Sequence, residues 1–236
     1  MTTAAALRSP AELEAIASKA AVDLADASAE EILRWAADTF GAAFAVAGSM
    51  QDNVLVHLAG QVIPGVDVLF LDTGYHFIET IGTADAVEAV YPVTLRRLLP
   101  LKTVAEQDAE HGKDLFARDP DLCCALRKVA PLNKALRGYE AWATGMRRSE
   151  AATRANTPVV QFDAKRGKVR IAPLAAWSDD DVAHYIENNN VLVNPLLSDE
   201  YPSIGCEPCT RKVLPGQDVR SGRWAGLTKT ECGINT

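Results

Sequence analysis

Residues 66–80 read VDVLFLDTGYHFIET. Val66, Val68, Leu69, Phe70 and Leu71 form a short, nearly unbroken apolar run, the pattern of a strand covered on both faces. Asp72, Thr73 and Gly74 end the run, and the chain turns into a helix through TGYHFIET. The same alternation continues in both directions. Upstream, Ser28 followed by Glu31 forms a capping box that opens a helix through EEILRWAADTF, which Gly41 stops. AAFAVA (42–47) then reads as a buried strand, GSMQD as a loop, and DNVLVHLA (52–59) as a short helix with Val54, Leu55 and Leu58 on one face. Downstream, YPVTLRR (91–97) and YEAWATGM (139–146) are further strands. Strands alternating with helices predict an α/β fold, an open and mostly parallel sheet flanked by helices.

The pattern changes near Pro158. VVQFDAKRGKVRIAPL (159–174) predicts a hairpin, and SDDDVAHYIENN (178–189) a capped amphipathic helix with Val182, Tyr185 and Ile186 inward. Beyond Val191 the chain is punctuated by Pro and Gly. Three regions result: an N-terminal helical segment (1–40), a nucleotide-binding α/β domain (41–200) and a coil-rich C-terminal tail (201–236). Three polar loops, AGSMQD, LDTGYHF and GMRRSE, directly follow predicted strands. In an open parallel sheet, ligands bind beyond the C-terminal strand ends, so all three are expected to open onto one pocket. Gly48, Gly74 and the helix N-termini after them could offer N–H groups to a phosphate. AGSMQD is neither GxGxxG nor a Walker loop.

The 236 residues, 48 % of them hydrophobic, suffice for one sizeable core. The first twenty residues are Ala-rich but broken by Arg, Glu and Lys, unlike a signal peptide, and no apolar run reaches the roughly 18 residues of a membrane span. A soluble cytoplasmic protein is expected. The net charge of −7 argues against nucleic acid as a partner. It leaves room for an anionic small molecule, because pairs such as Arg147-Arg148 and Arg127-Lys128 can be aimed into a pocket.

Five cysteines in a reducing compartment point to metal binding or catalysis rather than disulfides. Cys123 and Cys124 are adjacent, in RDPDLCCALRKVAPL. They are not expected to bond to each other: successive Cα atoms lie about 3.8 Å apart, whereas disulfides want about 4.4–6.8 Å. Neighbouring side chains also diverge. Cys206 and Cys209 form a CxxC, which suits a redox pair, half a zinc site or part of an iron–sulfur site. LLSDEYPSIG, just before it, holds no buried strand to present a redox pair. Zinc would require two diverging neighbours to converge on one atom at about 2.3 Å. A cubane offers each thiolate its own iron corner. Free buried cysteines are the remaining reading. Cys232, in TKTECGINT, stands on the tail with Gly233 allowing close approach and Lys229 favouring the thiolate. It is either a nucleophile on a segment that can close over a pocket or an inconsequential exposed thiol.

Together, CCALRK, IGCEPCTRKV and KTECG, with LDTGYHF, RANTPVV and RSGRWAG, resemble the assimilatory adenylylsulfate reductases of the adenylylsulfate and phosphoadenylylsulfate reductase family. The resemblance runs from about Phe44 to Ile234. It implies a Rossmann-like sheet of the adenine nucleotide alpha-hydrolase type, a [4Fe–4S] cluster, and reduction of adenylylsulfate to sulfite and AMP. It also implies thioredoxin, or a glutaredoxin-like protein, as donor, and leaves homo-oligomerisation open. By the same resemblance Cys123, Cys124, Cys206 and Cys209 match cluster ligands and Cys232 the nucleophile. Lys128 matches a lysine between cluster and substrate, and Arg148, Arg220 and Arg223 match positions contacting sulfate and phosphate. Ser49, Asp72, Thr73 and Gly74 lie in loops that match those binding the nucleotide.

One position departs from the family pattern. Family members usually end in ECG-Leu/Ile-His, whereas Asn235 follows Ile234 here. Asn carries no proton charge near neutral pH, so a role for that histidine does not transfer. His57, His76, His111 and His184 are expected to be loop or helix-surface residues rather than replacements. Three rival readings are a phosphoadenylylsulfate reductase, an ATP pyrophosphatase, and a non-catalytic zinc-stapled nucleotide-binding module. Family members preferring the 3′-phosphorylated substrate generally lack the CC and CxxC pairs. A pyrophosphatase would need an SGGxDS-like loop, and AGSMQD has one glycine.

Overall fold

A computed structural model describes residues 7–227, 229 and 231–234; the departure at Asn235 lies outside them. The helices are α1 (Pro10–Asp23), α2 (Ala29–Phe40), α3 (Val54–Val62), α4 (Ile78–Val90), α5 (Val104–His111), α6 (Leu115–Arg118), α7 (Pro120–Cys124), α8 (Ala130–Ala135) and α9 (Asp179–Asn189). The strands are β1 (Phe44–Gly48), β2 (Asp67–Leu71), β3 (Thr94–Leu98), β4 (Ala141–Ala143), β5 (Val160–Asp163) and β6 (Lys168–Ile171). They form a six-stranded sheet of order β3-β2-β1-β4-β6-β5. Every neighbouring pair is parallel except β5 with β6, so only the β5 edge runs antiparallel.

Local sequence accounts for most of these boundaries. Ser28 and Glu31 make the capping box of α2, Gly41 ends that helix, and Ser178 caps α9 with Asp181. In α1, Leu13, Ala17 and Ala20 recur on one face, and that face packs on the β5–β6 hairpin. The predicted hairpin is present. It extends the sheet, because β6 pairs in parallel with β4. The chain after Gly74 enters its helix later than the apolar pattern indicates, at Ile78. Thr73–Phe77 are used elsewhere. The Gly74 N–H donates to Asp72 Oδ1 and the Tyr75 N–H to Thr73 Oγ1, while His76 forms an isolated antiparallel bridge with Cys206.

β1, β2 and β3 step outward in one direction, and β4 then returns to the other side of β1. The gap between β1 and β4 is therefore a topological switch point, where crevices form beyond the strand ends. No helix among the described residues is long and apolar enough to cross a membrane.

Candidate active site

The loops after β1 and β4 diverge at that switch point and frame a cleft of about 490 Å³. Gly48, Ser49, Gln51 and Asp52 line it from one side, and Gly145, Met146 and Arg147 from the other. Ala47, Leu71 and Trp142 form its apolar floor, and Lys128, Arg154, Arg220, Arg223 and Cys232 also reach it. The cations are partly matched by acids on the same walls. Arg147 pairs with Asp179 at 2.6 Å, and Arg154 with Glu150 at 2.6 Å and Glu231 at 2.8 Å.

A second, smaller cavity adjoins the first and shares Lys128 and Trp224 with it as a common wall. Cys123, Cys124, Cys206 and Cys209 all line it, alongside Tyr75, Phe116, Pro120 and Pro208. Two pieces of chain far apart in sequence bring the four thiols together. α7 presents the adjacent pair, and its capping carboxylate Asp119 accepts from the Leu122 N–H at 2.9 Å. The second pair follows the His76–Cys206 bridge, with the Glu207 N–H donating to the Tyr75 carbonyl at 2.8 Å. Thr73 Oγ1 lies 3.3 Å from Cys206 Sγ. Burial pushes the Cys123 thiol up to about 11 and raises that of Cys209. Among the described residues, no three His, Cys, Asp or Glu side chains are grouped to hold a single ion.

Immediately after Cys124 the helix widens into one π turn, Ala125–Val129, before α8. One extra residue rotates the downstream helix by about 100° about the axis, given 3.6 residues per turn, and such turns recur at functional sites. Lys128 thereby faces both cavities. Burial opposes its charge, but the sulfurs of Cys206, Cys232 and Cys124 outweigh burial and raise its pKa above the ordinary amine range. Arg127, next to it, is buried and reaches only the small cavity. Its Nε donates to the Thr73 carbonyl and its Nη1 to Gln107 Oε1 at 3.0 Å, and its guanidinium lies over the Tyr75 ring. Gly74, at φ +73°, allows this packing: a Cβ there would stand 3.0 Å from Arg127 Nη2.

Cys232 is buried, 7 % exposed, among Cys124, Trp224, Cys209 and Ile234. Its thiol is held well below the ordinary range, at about 5. A hydrogen bond from the Cys124 thiol contributes most, and Lys128, the Ile234 N–H and Arg223 add to it against burial. The reciprocal effect raises the Cys124 thiol. Burial, followed by the neighbouring Arg220, lowers the pKa of Arg223. Its Nη1 donates to the Ile204 carbonyl at 3.1 Å, and its guanidinium carbon lies over the Trp224 ring, 4.6 Å from the centroid. Gly205 makes room for it, since a Cβ there would fall 2.2 Å from Arg223 Nη2. Gly205→Ala is therefore expected to displace a preorganised cation and lower kcat/KM about a hundredfold with little change in melting temperature. Parallel kinetics and thermal melts check this.

The residues expected from the sequence divide into groups. Ser49, Lys128, Arg220, Arg223 and Cys232 line the large cleft, and the four other cysteines the small cavity. Asp72, Thr73 and Gly74 are absent from the cleft lining; Thr73 is fully buried and braces the CxxC loop instead. Arg148 also points elsewhere, its Nε donating to the Thr157 carbonyl at 2.9 Å. Its neighbours Arg147 and Arg154 reach the cleft. Both lie in motifs evident in the sequence, GMRRSE and RANTPVV, but sequence alone does not tell which of two adjacent arginines turns inward. His76 also lines the cleft. Burial lowers its pKa, its Nε2 donates to the Leu71 carbonyl at 2.7 Å, and its Nδ1 is buried without a protein partner among the described residues.

The model of the phosphoadenosine phosphosulfate reductase domain matches residues 41–212. The chain belongs to this family. A Streptomyces coelicolor protein named adenosine 5'-phosphosulfate reductase is 62 % identical over 235 residues, covering 100 % of both chains. A Mycolicibacterium smegmatis protein of the same name is 62 % identical over 224 residues, covering 95 % of each. Among solved structures, phosphoadenylyl-sulfate reductase from Candida auris in complex with phosphate superposes with a TM-score of 0.72 at 28 % identity, covering 89 % of this chain and 100 % of that one. The sheet is thus the nucleotide alpha-hydrolase-like sheet of this reductase family, with the large cleft at its switch point and the cysteine-lined cavity beside it.

Proposed function

We propose that this member of the family reduces adenylylsulfate to sulfite and AMP, with Cys232 as nucleophile. The observation that carries this reading is the position of Cys232. It is a buried thiol in a nucleotide-sized cleft that Lys128 and Arg223 also line, beside a second cavity ringed by the other four cysteines. With Cys124 as a thiolate ligand its hydrogen bond to Cys232 is lost, and the two cations remain to hold the Cys232 thiolate.

In the proposed reaction the Cys232 thiolate attacks the sulfuryl sulfur. A sulfur–sulfur bond forms, the bond from that sulfur to the phosphate oxygen breaks, and AMP departs with the electron pair, leaving an S-sulfocysteine. Lys128, Arg220 and Arg223 all line the cleft and are the cations that would offset the charge accumulating on the sulfuryl and phosphate oxygens. A dithiol protein such as thioredoxin, or a glutaredoxin-like one, then attacks Cys232 Sγ and releases sulfite. Its second thiol frees Cys232, so the donor becomes a disulfide and supplies the two electrons.

Cys123, Cys124, Cys206 and Cys209 would hold a [4Fe–4S] cluster. The donor set fits: four thiols share a cavity otherwise walled by apolar and aromatic side chains, with Arg127 and Lys128 to balance thiolate charge. When bound, the group ties α7 to the CxxC loop and sets the electrostatic field at Lys128. The unphosphorylated substrate is favoured over its 3′-phosphorylated analogue by the presence of both cysteine pairs.

The test is anaerobic purification of wild type and Cys124→Ser, with iron and sulfide counts and sulfite release from each nucleotide. About four irons and four sulfides per chain, lost in the variant together with activity on adenylylsulfate, are expected. A colourless protein holding one zinc would overturn the cofactor assignment, and faster turnover of the 3′-phosphorylated nucleotide would overturn the substrate.

A further inference from the structure

Glu231 precedes Cys232, and nothing in the proposed reaction uses it. Its carboxylate is nonetheless among the most heavily bonded groups on the cleft wall. Arg154 grips it with two parallel bonds, Nε to Oε1 at 2.8 Å and Nη2 to Oε2 at 2.9 Å. Thr153 Oγ1 donates at 3.2 Å and Arg220 Nη2 at 3.3 Å. Arg154 is itself braced from behind by Glu150. The Arg154 and Glu231 side chains are only 9 % and 14 % exposed, so this is a shielded bidentate pair rather than a surface contact. Two residues earlier, Lys229 pairs with Asp121 on α7. Beyond Cys232, a Cβ at Gly233 would touch Val129 of the π turn at 3.3 Å.

Two demands on Cys232 conflict. Attack on a nucleotide in the cleft needs its sulfur inside, where it is 7 % exposed. Attack on that sulfur by a protein thiol needs it outside. A tail held by apolar packing alone would resist leaving. A tail held by an ion pair can exchange its partners for water. We propose that Glu231 is the latch of the catalytic tail: a positioning residue whose bidentate pair with Arg154 holds Cys232 in the cleft and whose release exposes it.

This rests on Cys232 as the nucleophile, and the test separates the two claims. The rate at which iodoacetamide modifies Cys232 in the full-length, anaerobically purified protein, read by peptide mass, reports tail opening whether or not the enzyme turns over. Glu231→Gln is expected to speed modification about tenfold. Arg154→Lys keeps the charge but loses the fork, and should give a smaller acceleration. The double variant should match Glu231→Gln alone. In single turnover, Glu231→Gln should slow S-sulfocysteine formation without weakening AMP binding, which a merely structural defect would weaken. Wild-type modification rates in a folded Glu231→Gln protein, or additive effects in the double variant, would overturn the latch. Activity retained in Cys232→Ser would instead overturn the catalytic reading and leave the modification comparison standing.

Discussion

Cys232→Ser is expected to lower sulfite formation by about a thousandfold or more, the scale of losing a covalent nucleophile. The Cys124 hydrogen bond, Lys128 and Arg223 can favour a Cys232 thiolate because a thiol ionises with modest stabilisation; a serine hydroxyl is far from ionised in the same surroundings. Even a successful attack by oxygen would give a sulfate ester, which a donor thiol cannot reduce. The variant should retain AMP binding, since Cys232 is one wall residue among many in the cleft. Incubating the wild type with labelled adenylylsulfate and no thiol should leave one sulfuryl group on the Cys232 peptide, and the variant should carry none. Sulfite release at the wild-type rate from the serine variant would exclude covalent catalysis through this residue.

The second large effect concerns stability. Arg127→Met should destabilise the fold by about 3–5 kcal/mol, the cost of breaking a buried charged network from one side. Arg127 is 3 % exposed and serves the Thr73 carbonyl, Gln107 and the Tyr75 ring at once. Methionine fills similar space but leaves those acceptors buried and unpaired. Gln107 already has one buried nitrogen without a partner among the described residues. The damage should also travel, because Thr73 contacts Cys206 and the Tyr75 carbonyl holds the CxxC loop. Denaturant midpoints of the metal-free protein and iron content after anaerobic purification should fall together. Arg127→Lys should rescue little, because one ammonium cannot span these partners. An unchanged midpoint in Arg127→Met would show that the network carries no net stability.

Arg127 also marks where local sequence stops being informative. The pair Arg127-Lys128 is legible as two cations near the cysteines, but the π turn decides that one is a brace and the other a wall of both cavities. The same holds for Arg147, Arg148 and Arg154. Local pattern marks a basic loop after a strand, whereas the direction of each side chain depends on α9, the Thr157 carbonyl ahead of β5, and the tail packed against it.

The sequence by itself determined the alternation of strands and helices, their caps, the hairpin and the reductase motifs, including all five cysteines. These are properties of neighbouring residues: apolar periodicity, a serine three residues before a glutamate, cysteines at fixed spacing. The tertiary structure decided the rest. It joined the hairpin to the sheet, put the switch point between β1 and β4, and turned Thr73 and Arg127 into braces. It also closed the tail on Arg154 through Glu231. Each of those outcomes depends on contacts between residues from 54 to 133 positions apart, or on strand pairings across the sheet. No local pattern encodes such contacts, because their free energy exists only once the chain has folded.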